Sequence, residues 1–233
     1  MKPRIYIFLS LIFISFSIVC AQTPEGFDAN SNVGNFANSS FRSFDNRYTG
    51  VEGYQTLFKD FVNGKITLSD GKIISDYELN YDVFRGELLV NDKKIKRIMA
   101  MRSDKLTSFS LISPLDGREM VFVKLPYDGP GFYEHLYGGK ISLYKRYEKV
   151  LEKANFGGGY NTTRSRTSDE FVDSFSYRIK KEDGTVIDFK PQKNELLNLF
   201  SANKSKLTKY LKANKVKLKN DMELADVFAY MDK

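Results

Sequence analysis

Cysteine, tryptophan and histidine are scarce in this chain of 233 residues, which contains one Cys, one His and no Trp. The cysteine, Cys20, lies at the end of an apolar N-terminal segment. Without that segment the chain can form neither a disulfide nor a thiolate nucleophile nor a thiolate metal site. Because His135 is the only histidine, we expect neither a hydrolase triad nor a zinc site with several imidazoles.

Motifs with recognisable chemistry are also missing from the sequence. It contains no Gly-x-Ser-x-Gly turn that would expose a serine nucleophile and no Asp-x-Asp-x-Asp-Gly loop that would bind calcium. The glycine run 157–159 does not lead from a strand into a helix, as a phosphate-binding loop would. We therefore expect no metal and no cofactor. Paired carboxylates stay open as an alternative, since such partners meet in space and not in sequence.

Long apolar runs are confined to the N-terminus. Lys2 and Arg4 precede an apolar stretch from Ile5 to Val19, and the small residue Ala21 follows it. This pattern predicts a secretory signal peptide over residues 1–21 that is cleaved after Ala21; lipidation at Cys20 is the less favoured alternative. The processed chain is then exported without a transmembrane span, and it is periplasmic, secreted or peripherally associated with the envelope.

Positive charge is concentrated near the C-terminus. The formal net charge of +7 falls to +5 when Lys2 and Arg4 leave with the signal peptide. Between Lys193 and Lys219 there are eight lysines and one acid, Glu195. The rest of the processed chain is close to neutral, so the distribution of charge is more informative than its total.

Residues 22–52 form a polar segment with four isolated phenylalanines, at 27, 36, 41 and 44. Because these apolar residues have no period, the segment cannot bury enough surface to offset the loss of chain entropy. We expect it to be disordered or extended. The alternative is that the phenylalanines dock on a partner or along the edge of the protein's own sheet.

Residues 53–190 alternate between apolar and polar side chains, as in Leu88 with Val90 and Phe109 with Leu111. Turn residues separate the alternating runs, and they are Ser69-Asp70-Gly71, Asn91-Asp92-Lys93, Leu115-Asp116-Gly117 and Glu182-Asp183-Gly184. This combination predicts an antiparallel β-meander that forms a twisted sheet or a partly closed barrel. We expect loops at 126–139 and 153–170, with a strand between them that ends near Tyr147.

Residues 191–233 change to a helical period, with apolar residues three and four positions apart. Asn220 stands three residues before Glu223, which is the spacing of a capping box at the start of the last helix. Some forty residues are too few to fold alone. We therefore predict an α+β fold in which two to three short basic helices dock on the sheet.

Three stretches carry a resemblance to a known family: Phe61–Gly71, then Leu79-Asn80-Tyr81-Asp82, and the lysine-rich Leu211–Leu218. With these, most of the chain from about Tyr54 resembles a family of uncharacterised exported proteins from Gram-negative bacteria. The resemblance implies export. It implies no activity, and no functional residue follows from it.

Candidate binding residues lie in three places. Tyr133 and Tyr137 stand near glycine-rich turns and could form a platform for a sugar or a peptide, with His135 between them as a loop residue or general base. Arg164 and Arg166 are candidate anion contacts. Lys209 and Lys212 belong to the basic helices, where they are either a solvated face or a contact with acidic lipid or glycan.

The sequence thus favours an exported, non-catalytic binding or interaction protein of the periplasm or cell envelope. An envelope protein or an acidic glycan or lipid surface is the expected partner. Nucleic acid is disfavoured by export and by the lack of arginine among the C-terminal lysines. The alternative is a secreted hydrolase whose site is assembled from scattered carboxylates and His135.

Overall fold

The computed structural model describes most of the chain beyond the N-terminal segment. The described residues are 41–44, 47–75, 77–93, 96–126, 131–155 and 167–233. The predicted signal peptide, most of the polar segment that follows it, and Arg164 and Arg166 lie outside them.

Twelve strands make up the described sheet, and all of their pairings are antiparallel. The strands are β1 (Phe41–Ser43), β2 (Val62–Leu68), β3 (Ile73–Ile74), β4 (Glu78–Asp82), β5 (Glu87–Asp92), β6 (Arg97–Met101), β7 (Leu106–Ile112), β8 (Glu119–Val123), β9 (Tyr133–Tyr137), β10 (Ser142–Glu152), β11 (Glu170–Lys180) and β12 (Val186–Phe189). Three C-terminal helices follow: α1 (Lys193–Leu199), α2 (Lys204–Ala213) and α3 (Asp221–Met231). The predicted α+β meander with a helical appendage is confirmed.

The strand order departs from a simple meander at β2. The order is β1-β6-β5-β4-β2-β7-β8-β9-β10-β11-β12. β3 lies outside this order and pairs with β2. The chain runs from β2 outward to β6 and then returns to pair β7 with the other side of β2. β2 is therefore the strand that joins the two halves of the sheet.

Glycine turns connect several neighbouring strands as the sequence predicts. Gly71, Gly117 and Gly184 have φ values of 85°, 73° and 84°, a conformation that favours glycine because it has no Cβ. The turn predicted at Asn91-Asp92-Lys93 lies later than expected. Asn91 and Asp92 are still strand residues, paired with Ile98 and Arg97.

Two loop predictions were wrong in their extent. Residues 133–137, expected within a loop, form β9 because they pair with β8 on one side and β10 on the other. β10 continues to Glu152 instead of ending near Tyr147, since all eleven of its residues pair with β11. Beyond Tyr147 this two-stranded ribbon no longer has a regular buried face, which is why alternation fails there.

The sheet curls around a cluster of aromatic side chains. The ring of Tyr81 on β4 lies 5.5 Å from Phe109 on β7 and 5.6 Å from Phe122 on β8, and Phe132 packs against Tyr81 and Phe109. These rings are buried together with aliphatic residues from β2, β3, β5 and β6. The core therefore occupies the concave face of the curled sheet.

The segment before β2 closes the curl. The backbone N–H of Leu57 donates to the carbonyl of Tyr81 at 2.7 Å, and the N–H of Phe171 donates to the carbonyl of Glu52 at 3.0 Å. This segment thus connects β4 with β11, two strands that lie far apart in the strand order. Before it, β1 pairs with the edge strand β6, and Phe41 packs against the core.

The helices pack on the end of the sheet formed by β9 to β12. Leu196, Leu207 and Leu224, one from each helix, are buried with Ile179 and Phe189 of the sheet. Asn220 caps α3, because its side chain accepts the N–H of Glu223 at 2.7 Å. Within the described residues, none of the helices has the length and apolar character needed to cross a bilayer.

Gly64 on β2 has no room for a side chain, and we predict that Gly64→Ala destabilises the protein. A Cβ at this position would lie 2.1 Å from the carbonyl oxygen of Ser110 and 2.9 Å from Leu79 Cδ1. The first contact is with backbone of the paired strand β7, so no rotamer change relieves it. We expect the free energy of unfolding to fall by about 1–3 kcal/mol.

Urea unfolding followed by circular dichroism measures this loss, and Lys65→Ala is the matched control. Lys65 is the next residue on β2, and its exposed ion pair with Glu119 contributes little to stability. Equal midpoints for Gly64→Ala and the wild-type protein would contradict the prediction.

Candidate functional site

A cleft of about 560 Å³ lies beside the aromatic core. Its walls come from the segment before β2, the turn between β7 and β8, the ribbon β10–β11 and the first residue of α3. Leu57, Phe58, Val62, Met120 and Tyr147 supply apolar and aromatic surface. A concave, mainly apolar site with a few polar groups is the usual form of a ligand pocket.

The turn between β7 and β8 places Arg118 in the cleft. The N–H of Gly117 donates to the carbonyl of Ser113 at 2.9 Å, and the N–H of Ser113 donates to the carbonyl of Arg118 at 2.9 Å. The Asp116 carboxylate accepts the Arg118 N–H at 3.3 Å and lies 3.3 Å from the Arg118 side chain. These bonds fix the guanidinium at the start of β8.

Arg118, Glu134 and Tyr147 form a network behind the cleft. Glu134, on β9, is fully buried, and its carboxylate accepts hydrogen bonds from the Arg118 guanidinium and from the Tyr147 hydroxyl, the latter at 2.6 Å. Burial, followed by the nearby Glu134 charge, raises the pKa of Tyr147. Burial alone would lower the pKa of Arg118, but its contacts with Glu134 outweigh this and raise it.

Lys145, Asp221 and Tyr177 form a second network, which joins the sheet to α3. The two oxygens of Asp221 accept hydrogen bonds from the Lys145 ammonium and the Tyr177 hydroxyl, both at 2.7 Å. Burial, followed by the hydrogen bond to Asp221, raises the pKa of Tyr177. The ammonium also lies 4.6 Å from the centre of the Phe175 ring and 4.8 Å from that of Tyr147.

Apolar side chains are exposed around the mouth of the cleft. Tyr54, Phe175 and Leu115 line the cleft and are 43%, 59% and 92% exposed. The Lys149 ammonium lies 4.6 Å from the centre of the Tyr54 ring and 2.6 Å from the Asp173 carboxylate. Three such residues around one opening make an exposed apolar patch, which is typical of an interaction site.

Hydrogen bonds engage the carboxylates of both networks. Every carboxylate oxygen of Glu134 and Asp221 accepts a hydrogen bond. Burial and the neighbouring carboxylates raise the pKa values of Tyr147 and Tyr177, which favours the protonated phenols that donate these hydrogen bonds. In the described part of the chain, no three His, Cys, Asp or Glu side chains are grouped to hold a metal ion.

The residues predicted on β9 do not line the cleft. Tyr133 is buried, and its hydroxyl accepts a hydrogen bond from Arg146 at 3.0 Å. His135 is exposed, with its ring 5.1 Å from that of Tyr144. Tyr137 is half-buried and donates its hydroxyl to Asp232 at 3.0 Å; burial, followed by that bond, raises the pKa of Tyr137.

The other predicted residues are also outside the cleft. Lys209 and Lys212 are exposed on α2, so the structure does not bring them together with Tyr133, His135 and Tyr137 as one site. Arg164 and Arg166 lie outside the described residues.

Sequence reasoning missed Arg118, Glu134, Lys145 and Asp221. A signal for Lys145 was present, since it stands in phase between Leu143 and Tyr147 on an alternating strand, where an apolar residue is expected. Asp221 stands where an acid at a helix N-terminus is favourable, which suffices to explain it. Asp221 and Lys145 are 76 positions apart, so no local pattern in the sequence indicates their contact.

Asp221→Asn is expected to lower the free energy of unfolding by about 2–4 kcal/mol, because it leaves the Lys145 ammonium largely buried without a carboxylate. Asp226→Asn is the control: this acid is exposed on the same helix, and its loss should change stability by about 0.5 kcal/mol or less. Chemical unfolding gives the energies, and hydrogen exchange of the α3 amides shows where protection is lost.

A double-mutant cycle separates the ion pair from a general effect on the helix. Asp221→Asn with Lys145→Met should cost less than the sum of the single substitutions, because the double variant buries no unpaired charge. Additive energies, or equal losses for Asp221→Asn and Asp226→Asn, would contradict the structural role of the pair.

The chain matches no protein-family model, and no curated protein or solved structure matches it. The resemblance to exported proteins of Gram-negative bacteria therefore stays a prediction, and the cleft is interpreted from its own geometry.

Proposed function

We propose that this protein is an exported, non-catalytic binding protein of the bacterial periplasm or cell envelope that holds its ligand in the cleft. The observation that supports binding is the set of exposed apolar side chains, Tyr54, Leu115 and Phe175, around a concave site of about 560 Å³. Exposure of one such residue is ordinary, but three around one opening are costly to leave in water unless a ligand covers them. Export rests on the N-terminal sequence pattern.

The charge of the cleft favours a ligand without a large net charge. The lining includes four cations (Lys59, Arg118, Lys145 and Lys149) and five acids (Asp60, Asp116, Glu148, Asp173 and Asp221). Several of these already pair with one another, as Lys145 does with Asp221 and Lys149 with Asp173. An uncharged or zwitterionic ligand with an apolar portion suits such a site, whereas a polyanion would gain little from it.

The hydrolase alternative has less support from this arrangement. A general acid and a general base must be able to exchange protons with the substrate. Glu134 and Asp221 are instead fully engaged by their cations and phenols, and His135 does not line the cleft. Hydrolysis stays a prediction from the sequence, and incubation with any identified ligand would test it directly.

Binding of N-phenyl-1-naphthylamine, an uncharged apolar dye whose fluorescence rises in apolar surroundings, tests the proposal on protein purified after processing in the cell. We expect the double variant Leu115→Ser/Phe175→Ala to bind the dye about tenfold more weakly, because two apolar contacts are lost. Ile73→Ser is the control, since Ile73 is 63% exposed but does not line the cleft.

Displacement of the dye then identifies the ligand class among neutral oligosaccharides, peptides and lipids. The proposal is wrong if the folded wild-type protein binds no dye, or if Ile73→Ser weakens binding as much as the double variant. Circular dichroism of each variant establishes that it is folded before the affinities are compared.

A further inference from the structure

Seven lysines on and after α2 form a cationic surface that is separate from the lining of the cleft. We call it the lysine surface, and it consists of Lys204, Lys206, Lys209, Lys212, Lys215, Lys217 and Lys219. No acid lies between Lys204 and Lys219 in the sequence. Six of the seven are exposed, and Lys206 is half-exposed with its ammonium 5.0 Å from the Tyr230 ring centre.

The ammonium groups of the lysine surface make no ion pair with any residue that the structure describes. Several lysines elsewhere are paired: Lys65, Lys93, Lys149 and Lys153 each lie within 4 Å of a carboxylate. In the described part of the chain, the lysine surface is distinguished by seven such unpaired cations within sixteen residues of sequence.

The acids nearest in sequence make no ion pair with the ammonium groups of the lysine surface, and most of them bind other groups. Asp221 binds Lys145 and Tyr177, and Asp232 accepts the hydroxyl of Tyr137. Glu223 accepts the backbone N–H groups of Lys217 and Lys219 at 3.2 and 3.3 Å, which leaves their ammonium groups free to point outward. Asp226 is the remaining acid of α3, and it is exposed.

Helix geometry orients part of this charge away from the protein. Leu207 and Leu211 are buried in the apolar cluster that the helices share with the sheet, Lys209 lies on the opposite side of α2, and Lys212 is exposed on its flank. The loop that follows contains Lys215, Lys217 and Lys219, and Met222, three positions after Lys219, is 68% exposed. An exposed apolar side chain thus follows the lysines closely in sequence.

We propose that the lysine surface binds a bilayer that contains anionic phospholipid, with Met222 entering the headgroup region. Clustered lysines are attracted to an anionic membrane without specific geometry, and an adjacent apolar side chain adds contact with the acyl boundary. Nucleic acids and sulfated glycans fit less well, because the surface has no arginine for bidentate contacts and because Met222 would gain nothing from a polar polymer.

Co-sedimentation with vesicles tests this proposal on protein purified after processing in the cell. Vesicles of phosphatidylcholine with about 30% phosphatidylglycerol are expected to bind the protein about tenfold more strongly than phosphatidylcholine alone, and binding should weaken as salt is raised. The variant Lys209→Gln/Lys212→Gln/Lys215→Gln should lose about tenfold or more, and Met222→Ser should lose severalfold.

The matched control is Lys140→Gln/Lys181→Gln/Lys190→Gln, which removes three exposed lysines from outside the lysine surface. It should bind anionic vesicles within about twofold of the wild-type protein. The proposal is wrong if the control loses as much as the first variant, if neutral and anionic vesicles bind equally, or if heparin is bound while the vesicles are not. The last outcome would assign the surface to an acidic polysaccharide.

This inference does not depend on the proposed function of the cleft. The lysine variant should bind N-phenyl-1-naphthylamine as the wild-type protein does, and Leu115→Ser/Phe175→Ala should bind vesicles as the wild-type protein does. A failed vesicle experiment therefore counts only against the lysine surface, and a failed dye experiment counts only against the cleft.

Discussion

The contact between Tyr81 on β4 and Phe122 on β8 defines the geometry of the sheet. β2 and β7 separate the two strands, so in a flat sheet their backbones would lie about 14 Å apart. The ring centres are 5.6 Å apart, which requires the sheet to curl. The curl brings β4 and β11 within reach of the segment before β2, and that same segment forms one wall of the cleft. The aromatic core thus determines where the cleft lies.

Charge beside the cleft is tolerated because the carboxylates of Glu134 and Asp221 each have two donors. Glu134 is held by a guanidinium and a phenol, and Asp221 by an ammonium and a phenol. Asp221 is also the first residue of α3, where the positive end of the helix dipole favours a carboxylate. Sheet, cleft and helices are therefore coupled through one side chain, although they come from distant parts of the sequence.

The sequence predicts the fold better than the site, for physical reasons. Alternation and Asp-Gly turns are local signals, and they identify hairpins such as β7–β8 and β11–β12 correctly. The return of the chain to β2 depends on pairing between Gly64 and Leu111, some fifty positions apart, which no local pattern encodes. The same holds beside the cleft, where Arg118, Glu134 and Tyr147 meet only after β8, β9 and β10 have paired.

The loop predicted around Tyr133 and His135 was wrong for a related reason. Glycine-rich sequence nearby favours a loop over a strand. In the structure both residues belong to a strand, where Tyr133 is buried and His135 is exposed. The residue between them, Glu134, is the one whose side chain takes part in the network behind the cleft.

Closure by the segment before β2 has a consequence for the order in which this chain can fold. The bond between Glu52 and Phe171 joins residues almost 120 positions apart. β1 and β2 also pair only with strands that come later in the sequence. During synthesis the N-terminal part waits for β11 before it can complete its contacts, since long-range pairing must follow the closure of large loops. Such a topology delays the native state until nearly all of the chain has been made.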